Sequence, residues 1–215
     1  MSDAAVFTDE TRREARELVA RYPKPRSALL PMLHLVQSVE GYVSSAGIGF
    51  CAEMLGLTKA EVGAVATFYT MYKRRPVGDF HVGVCTNTLC AVMGGDAIYA
   101  ELKEHLGIDA QDGTTDDGKV SLEHIECNAA CDYAPVVMVN WEFFDNQTPE
   151  SAKALVDDLR GGLSVRPTRG AESVCTWREA ERVLAGFYDG RADEGDAAGP
   201  ATLVGLQTAR EGEQS

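Results

Sequence analysis

FHVGVCTNTLC, residues 80–90, decides how this chain folds. Before it, apolar residues recur every three or four positions; inside it, they alternate. Phe80, Val82 and Val84 interleave with His81, Gly83 and Cys85, the two-residue period of a strand whose C-terminal end is a thiol. Cys90 follows after four residues. A second stretch repeats the plan: VSLEHIEC, residues 120–127, reads as a strand ending on Cys127, and Cys131 follows after three residues. Thiols at the C-terminal ends of neighbouring parallel strands emerge at one edge of a sheet, so the two pairs can converge.

The spacing is C-x4-C, then 36 residues, then C-x3-C. Four thiolates suit either an iron–sulfur cluster or a tetrahedral zinc ion. Structural zinc favours short C-x2-C knuckles around one small ion. The wider pairs here suit a diamond core in which each pair grips one iron, with zinc as the alternative. No C-x-x-C occurs, which argues against a redox dithiol. Cys51, on the apolar face of a helix, and Cys175, in the tail, read as incidental. His124, three residues before Cys127, reads as a surface or core histidine because four thiols are already available.

Residues 8–73 read as a run of helices. Thr8 or Asp9 caps the first, with Ala15, Leu18, Val19 and Tyr22 on one face and Pro23 and Pro25 as its stop. The second runs from about Ser27 with Leu29, Met32, Leu33 and Val36 inward, and Gly41 ends it. Ser44 or Ser45 opens the third, which places Ile48, Cys51, Ala52 and Leu55 inward and stops at Gly56. Thr58 and Glu61 form a capping box ahead of a fourth helix through Val62, Val65 and Tyr69. After the first strand, Asp96 caps a helix through Ile98, Leu102 and Leu106, closed by Gly107. PVVMV and WEFF read as strands joined by a turn at Asn140. Thr148-Pro149-Glu150 starts a helix with Ala154, Leu155 and Leu159 inward. Trp177 to Gly190 reads as one amphipathic helix, and the remainder, rich in Gly, Ala, Asp and Glu, as mobile. The expected division is a helical region over 1–76, a sheet domain over 77–163 and an extension over 164–215.

The 215 residues carry a formal charge of −13, which argues against wrapping nucleic acid or an anionic lipid surface. The N-terminus has neither the basic and apolar regions of a secretory signal nor the acid-poor composition of a transit peptide. No apolar run approaches the ~20 residues of a membrane span. These features read as a cytosolic chain with no direct membrane insertion. Asp96 to Glu126 holds nine acids against two bases, either a field that lowers a cluster's potential or a solvated face. Gly94-Gly95 would let backbone amides approach sulfur.

Several stretches in order, YPKPRSALLPMLHLVQSVEGYVS, VATFYTMYKRRPVG, VCTNTLC, TTDDGKVSLEHIECNAACDYAPVVMVN and the TPE helix, resemble the small [2Fe–2S] subunit of NADH:quinone oxidoreductase (the E subunit of bacterial respiratory complex I). The likeness runs over roughly residues 20–162. It implies an α/β (α+β) chain: an N-terminal helical region followed by a thioredoxin-like [2Fe–2S] ferredoxin domain. Cys85, Cys90, Cys127 and Cys131 would then ligate one [2Fe–2S] cluster. It also implies a flavoprotein partner that binds FMN and NADH, a cluster that accepts an electron from that flavin and lies beside, not on, the main chain of clusters to quinone, further complex I subunits, and a peripheral place on the cytoplasmic side of the bacterial inner membrane. This chain has no G-x-G-x-x-G after a strand, consistent with dinucleotide on the partner. The same module serves diaphorase parts of NAD-linked hydrogenases and formate dehydrogenases. One departure stands out: the family commonly has Cys-x-Gly-Ala-Cys where this chain has Asn128-Ala129-Ala130. If that position needs a positive φ, Ala129 is strained there, and an altered potential or a less robust cluster follows.

A reading of another class is a helix-turn-helix DNA-binding regulator with a four-cysteine metal site, from FCAEMLGLTKAEVGAVATFY. Its second helix offers no Arg, Asn or Gln to base edges before Lys73, and the chain is acidic.

Overall fold

The computed structural model describes residues 6–213. In chain order its helices are α1 (Asp9–Ala20), α2 (Leu29–Glu40), α3 (Ser45–Leu55), α4 (Lys59–Phe68), α5 (Thr88–Val92), α6 (Gly95–Leu106), α7 (Pro149–Arg160), α8 (Trp177–Leu184) and α9 (Pro200–Gly212). The strands are β1 (Phe80–Cys85), β2 (Gly113–Thr114), β3 (Val120–Ile125), β4 (Val137–Val139) and β5 (Glu142–Phe144). They build two compact units. One joins the chain up to Asp79 with Cys175–Asp189; the other joins Phe80–Val174 with the chain from Gly190 onward. The stretch after residue 163 thus contributes to both.

In the helical unit the local signals act as expected. Thr8 caps α1 through its hydroxyl, Ser44 caps α3, and both halves of the Thr58–Glu61 capping box form. Pro31 lies in the first turn of α2, where its missing N–H is no loss. Gly41 and Gly56 end their helices in the left-handed region. Two aromatic residues fall outside the helices expected to hold them: Tyr22 lies past the end of α1 and is exposed, and Tyr69 sits at the C-cap of α4. The helix expected over 177–190 is shorter, ending at Leu184 before Gly186 turns the chain at φ 99°.

Helix α8 completes this unit's core. Trp177 is buried, and its indole N–H donates to Gly41 O at 2.8 Å. Burying a tryptophan removes 150–250 Å² from water, which stabilises by roughly 4–6 kcal/mol. Glu181 is wholly buried; its Oε2 accepts from Gln37 Nε2 at 2.7 Å and stands 2.6 Å from His34 Nδ1. Arg178 donates to the carbonyls of Val39 and Glu40 at the end of α2, and Arg182 pairs with Glu14 of α1.

The sheet unit has the strand order β2-β3-β1-β4-β5. The β1–β3 pair is parallel and the other three are antiparallel. On one face Val82, Val84, Val120, Leu122, Val137 and Val139 pack with Ile98, Leu102, Leu155 and Val156 of α6 and α7. The other face carries a smaller cluster: Cys85, Cys90, Val136 and Met138, flanked by Ile125, Trp141 and Phe143. Because β1 is covered on both faces, His81 is as buried as Val82, and the expected inward–outward alternation does not appear as burial.

Several details differ from the sequence reading. Helix α6 is preceded by Gly94 at φ 115°, so Asp96 sits within the first turn, where its charge complements the helix dipole, instead of capping it. The inward face of α7 holds Ala152, Leu155, Val156 and Leu159, and Ala154 is exposed. Strand β2 arises inside the acid-rich stretch between Asp96 and Glu126, and Cys90 lies on the short helix α5, two elements the sequence pattern does not announce. The β4–β5 connection is a two-residue turn with Asn140 and Trp141 at φ 48° and 74°, as a tight hairpin requires. The tail contains a helix, α9, exposed throughout. Among the described residues no helix is long and apolar enough to cross a membrane.

Candidate metal centre

The parallel ladder places the thiols. Its register pairs Cys85, the last residue of β1, with Ile125, the last residue of β3, so the chain leaves both strands at the same edge. Cys127 comes two residues later. Cys90 returns on α5, and Cys131 opens a 3-10 turn, Cys131–Tyr133. All four cysteines, with Asn128, Ala130 and Val136, line one pocket. The Sγ atoms of Cys127 and Cys131 are 3.6 Å apart. Burial divides the pairs: Cys85 and Cys90 are buried at 2% and 4% exposure, while Cys127 and Cys131 are exposed.

The backbone around the pocket is tightly constrained. A Cβ on Gly95 would lie 2.4 Å from Cys85 O and 2.9 Å from Cys90 O, so only glycine lets α6 start against the first pair. At the second pair an N–H···S contact forms: Ala129 N donates to Cys127 Sγ at 3.3 Å. Ala129 holds φ 57°, so the condition for strain at this position is met, and a side chain there costs about 1–2 kcal/mol. Asn87 Nδ2 donates to Glu126 Oε2 at 2.8 Å, tying the loop after β1 to the loop after β3. Neither Asn87 nor Glu126 was singled out from sequence; their places beside the strand ends were the available signal.

Burial pushes the Cys85 thiol up to about 11, partly opposed by the backbone N–H of Asn87. Cys131 is also raised, chiefly by its neighbour Cys127. A group binding thiolates here would displace protons. Much of the acidic stretch is engaged away from sulfur: Asp117 with Arg160 at 2.8 Å, Glu123 with His81 at 2.7 Å, Glu101 with Lys153 at 2.6 Å. His124 stands 3.2 Å from Asp112 and does not line the thiol pocket. Cys51 belongs to the helical core, its thiol pushed up to about 12 by burial and then by Glu40. Cys175 lies in the helical unit as well.

The donors fit a group larger than one ion. Among the described residues no trio of His, Cys, Asp or Glu closes on a single metal-ion position. Four sulfur donors that close on no single-ion position suit a two-iron, two-sulfide core better than zinc.

The family description Thioredoxin-like [2Fe-2S] ferredoxin matches residues 15–160. This chain is 65% identical over 198 residues to the E subunit of NADH-quinone oxidoreductase from Mycobacterium tuberculosis (strain ATCC 25618 / H37Rv), covering 92% of this chain and 78% of that one. It is 42% identical over 149 residues to the protein of the same name from Rickettsia bellii, covering 68% and 89%. Among solved structures, the NAD+-reducing [NiFe]-hydrogenase in its H2-reduced state superposes with a TM-score of 0.56 at 18% identity. That match covers 63% of this chain and 22% of the hydrogenase chain and is a likeness of fold alone. The matched span takes in the whole five-stranded sheet, the parallel ladder and all four converging thiols, and this chain belongs to the thioredoxin-like [2Fe-2S] ferredoxin family.

Proposed function

We propose that this chain is the electron-transferring E subunit of an NADH:quinone oxidoreductase, in which Cys85, Cys90, Cys127 and Cys131 hold one [2Fe–2S] cluster. The observation that carries the reading is the pocket lined by all four thiols at the edge fixed by the β1–β3 ladder, in a chain 65% identical to a protein of that name. When bound, the cluster supplies a one-electron site. The chain's own residues do the rest. Cys85 and Cys90 anchor one side in a dry apolar setting with Val136 and Met138, and exposed Cys127 and Cys131 bring the other side to the surface. The N–H of Ala129 directed at Cys127 stabilises thiolate charge.

FMN and NADH belong on a partner flavoprotein, with which the cluster exchanges one electron; further subunits carry electrons to quinone. Leu89, Val92 and Met93, on and just after α5, are exposed at 45%, 79% and 56%, an apolar rim beside Cys90 that suits a protein partner. The complex would hold this chain on the cytoplasmic side of the membrane.

Low-temperature EPR with iron and sulfide analysis, on anaerobically purified, dithionite-reduced protein, tests the site. About two irons, two sulfides and a spin-half signal per chain are expected; stoichiometric zinc without a paramagnetic signal would overturn it. A diaphorase role in an NAD-linked hydrogenase is the second reading, since the resemblance extends to that class of module and the hydrogenase shares the fold. Purification of the native complex separates the two, by NADH-dependent quinone reduction or by hydrogen-dependent NAD+ reduction. The helix-turn-helix regulator is not carried further, because its segment lies inside the ferredoxin family match.

A further inference from the structure

Beyond residue 160, where the family match ends, the chain returns to Tyr133, two residues after Cys131. We propose that Arg169 and the segment 195–201 clamp Tyr133 and so position the Cys131 loop, making the C-terminal extension part of the cluster-holding apparatus. This rests on the reading of the four thiols as a cluster site.

Arg169 is the centre of the clamp. Its Nε and Nη2 reach Asp145 Oδ2 and Oδ1 at 2.9 and 3.3 Å, a two-point pair with side chains only 15% and 7% exposed. The guanidinium carbon lies 3.9 Å from the Phe143 ring centroid and 5.1 Å from that of Tyr133, so a fixed cation stacks beside both rings. Arg169 Nη1 also donates to Ala197 O at 3.2 Å. Asp145 in turn accepts from Thr168 Oγ1 at 2.8 Å, and Thr168 N donates to Phe143 O at 2.9 Å, which fixes the strand-end partner of the stack.

The later segment closes over the same tyrosine. Gly170 N donates to Asp196 O at 3.1 Å, and Ala201 N donates to the Tyr133 hydroxyl at 3.1 Å. A Cβ on Gly199 would stand 2.1 Å from that hydroxyl, so the approach is possible only with glycine there. Tyr133 also donates its N–H to Ala130 O, and its carbonyl accepts from Asn146 N at 2.8 Å. Its backbone, ring and hydroxyl are therefore all held. Tyr133 closes the 3-10 turn that Cys131 opens. Cys131 is exposed and has little regular structure to hold it, so the clamp on Tyr133 limits opening of that loop.

The test uses the full chain and three variants: Arg169→Gln, Arg169→Lys and Gly199→Val. The readouts are iron release to a ferrous chelator, the EPR line shape of the reduced cluster, and iodoacetamide labelling of Cys131 in metal-free protein by mass spectrometry. Arg169→Gln should release iron on the order of tenfold faster, with an altered line shape, because a partly buried charge-assisted pair is lost. Arg169→Lys, which keeps the charge without the planar fork, should recover part of the difference. Gly199→Val, whose change meets only the exposed tail and Tyr133, should speed iron release and Cys131 labelling at an unchanged melting temperature; it also decides the matter if Arg169→Gln does not fold. Wild-type iron release, line shape and labelling in folded Gly199→Val and Arg169→Gln would overturn the proposal. A wild-type protein that forms no cluster overturns the cluster reading instead, and the labelling rates still judge the clamp.

Discussion

Replacing Ala129 by glycine isolates the strain at the second thiol pair. At φ 57° an L-residue pays about 1–2 kcal/mol that glycine does not, while glycine loses about 0.5–1 kcal/mol more chain entropy when the loop orders. The difference lies between about 0 and 1.5 kcal/mol in favour of the glycine variant, and its midpoint of about 0.75 kcal/mol is a factor of roughly 3–4 in the closed-to-open ratio of the loop. Because Cys127, Ala129 and Cys131 are all exposed, opening of this loop is the direct route by which iron is lost. Iron release from Ala129→Gly, followed anaerobically by chelator absorbance and by bleaching of the visible cluster bands, should slow by about 3–4-fold. The donor that bonds Cys127 Sγ is backbone N–H and survives the change, so the midpoint potential should stay close to that of the parent. Ala129→Val, with a branched side chain in the same region, should release iron faster. Release from Ala129→Gly at or above the parental rate would refute the link between this φ and cluster retention.

Replacing Cys85, Cys90, Cys127 or Cys131 by Ser should abolish or badly weaken the [2Fe–2S] EPR signal, whereas Cys51→Ala and Cys175→Ala should keep it. In metal-free protein, alkylation mapped by mass spectrometry should reach exposed Cys127 and Cys131 before buried Cys85 and Cys90. Glu181→Ala removes the buried acceptor of His34 and one of the partners of Gln37 in the helical core, and should lower the unfolding free energy by about 1–3 kcal/mol in urea titrations. The Glu61 carboxyl is held at about 2, chiefly by the Thr58 N–H and then by Arg26 and the Thr58 hydroxyl. Its folded value is depressed, so its contribution is present above about pH 4.3 and is lost as pH falls toward 2. The stability difference between the parent and Glu61→Gln should therefore shrink across that window, measured by urea midpoints at stepped pH.

What could be read from sequence was whatever local chemistry dictates. The thiol edge was legible because strand alternation and cysteine spacing are both short-range, and the caps at Thr8, Ser44 and Thr58 are set by residues three apart. Helix α5 and strand β2 were missed because five and two residues are too few to show a period. On α7, Ala152 and Ala154 are the same residue type, so the pattern could not tell which one faces the core. Spacing alone left zinc open; the choice of a two-iron core came from the resemblance, and the structure adds that all four thiols line one pocket. The extension was opaque for a different reason. Its structure depends on partners far away in sequence, Asp145 for Arg169 and the Gly41 carbonyl after α2 for Trp177, and no local pattern announces them.

The return of residues 175–189 to the helical unit, and of the chain from Gly190 to the sheet unit, interleaves the two along the polypeptide. A ribosome adding roughly 5–20 residues per second releases α1 to α4 many seconds before Trp177 and Glu181 exist to close them. The sheet unit, begun in the meantime, still awaits Gly199 and Ala201 over Tyr133. No nascent chain short of Cys175 therefore contains either unit whole. Products of premature termination or C-terminal cleavage before that point would expose apolar surface of the helical unit and leave the thiol loop unclamped, marking them for chaperones and proteases before they could compete for a place in an assembly.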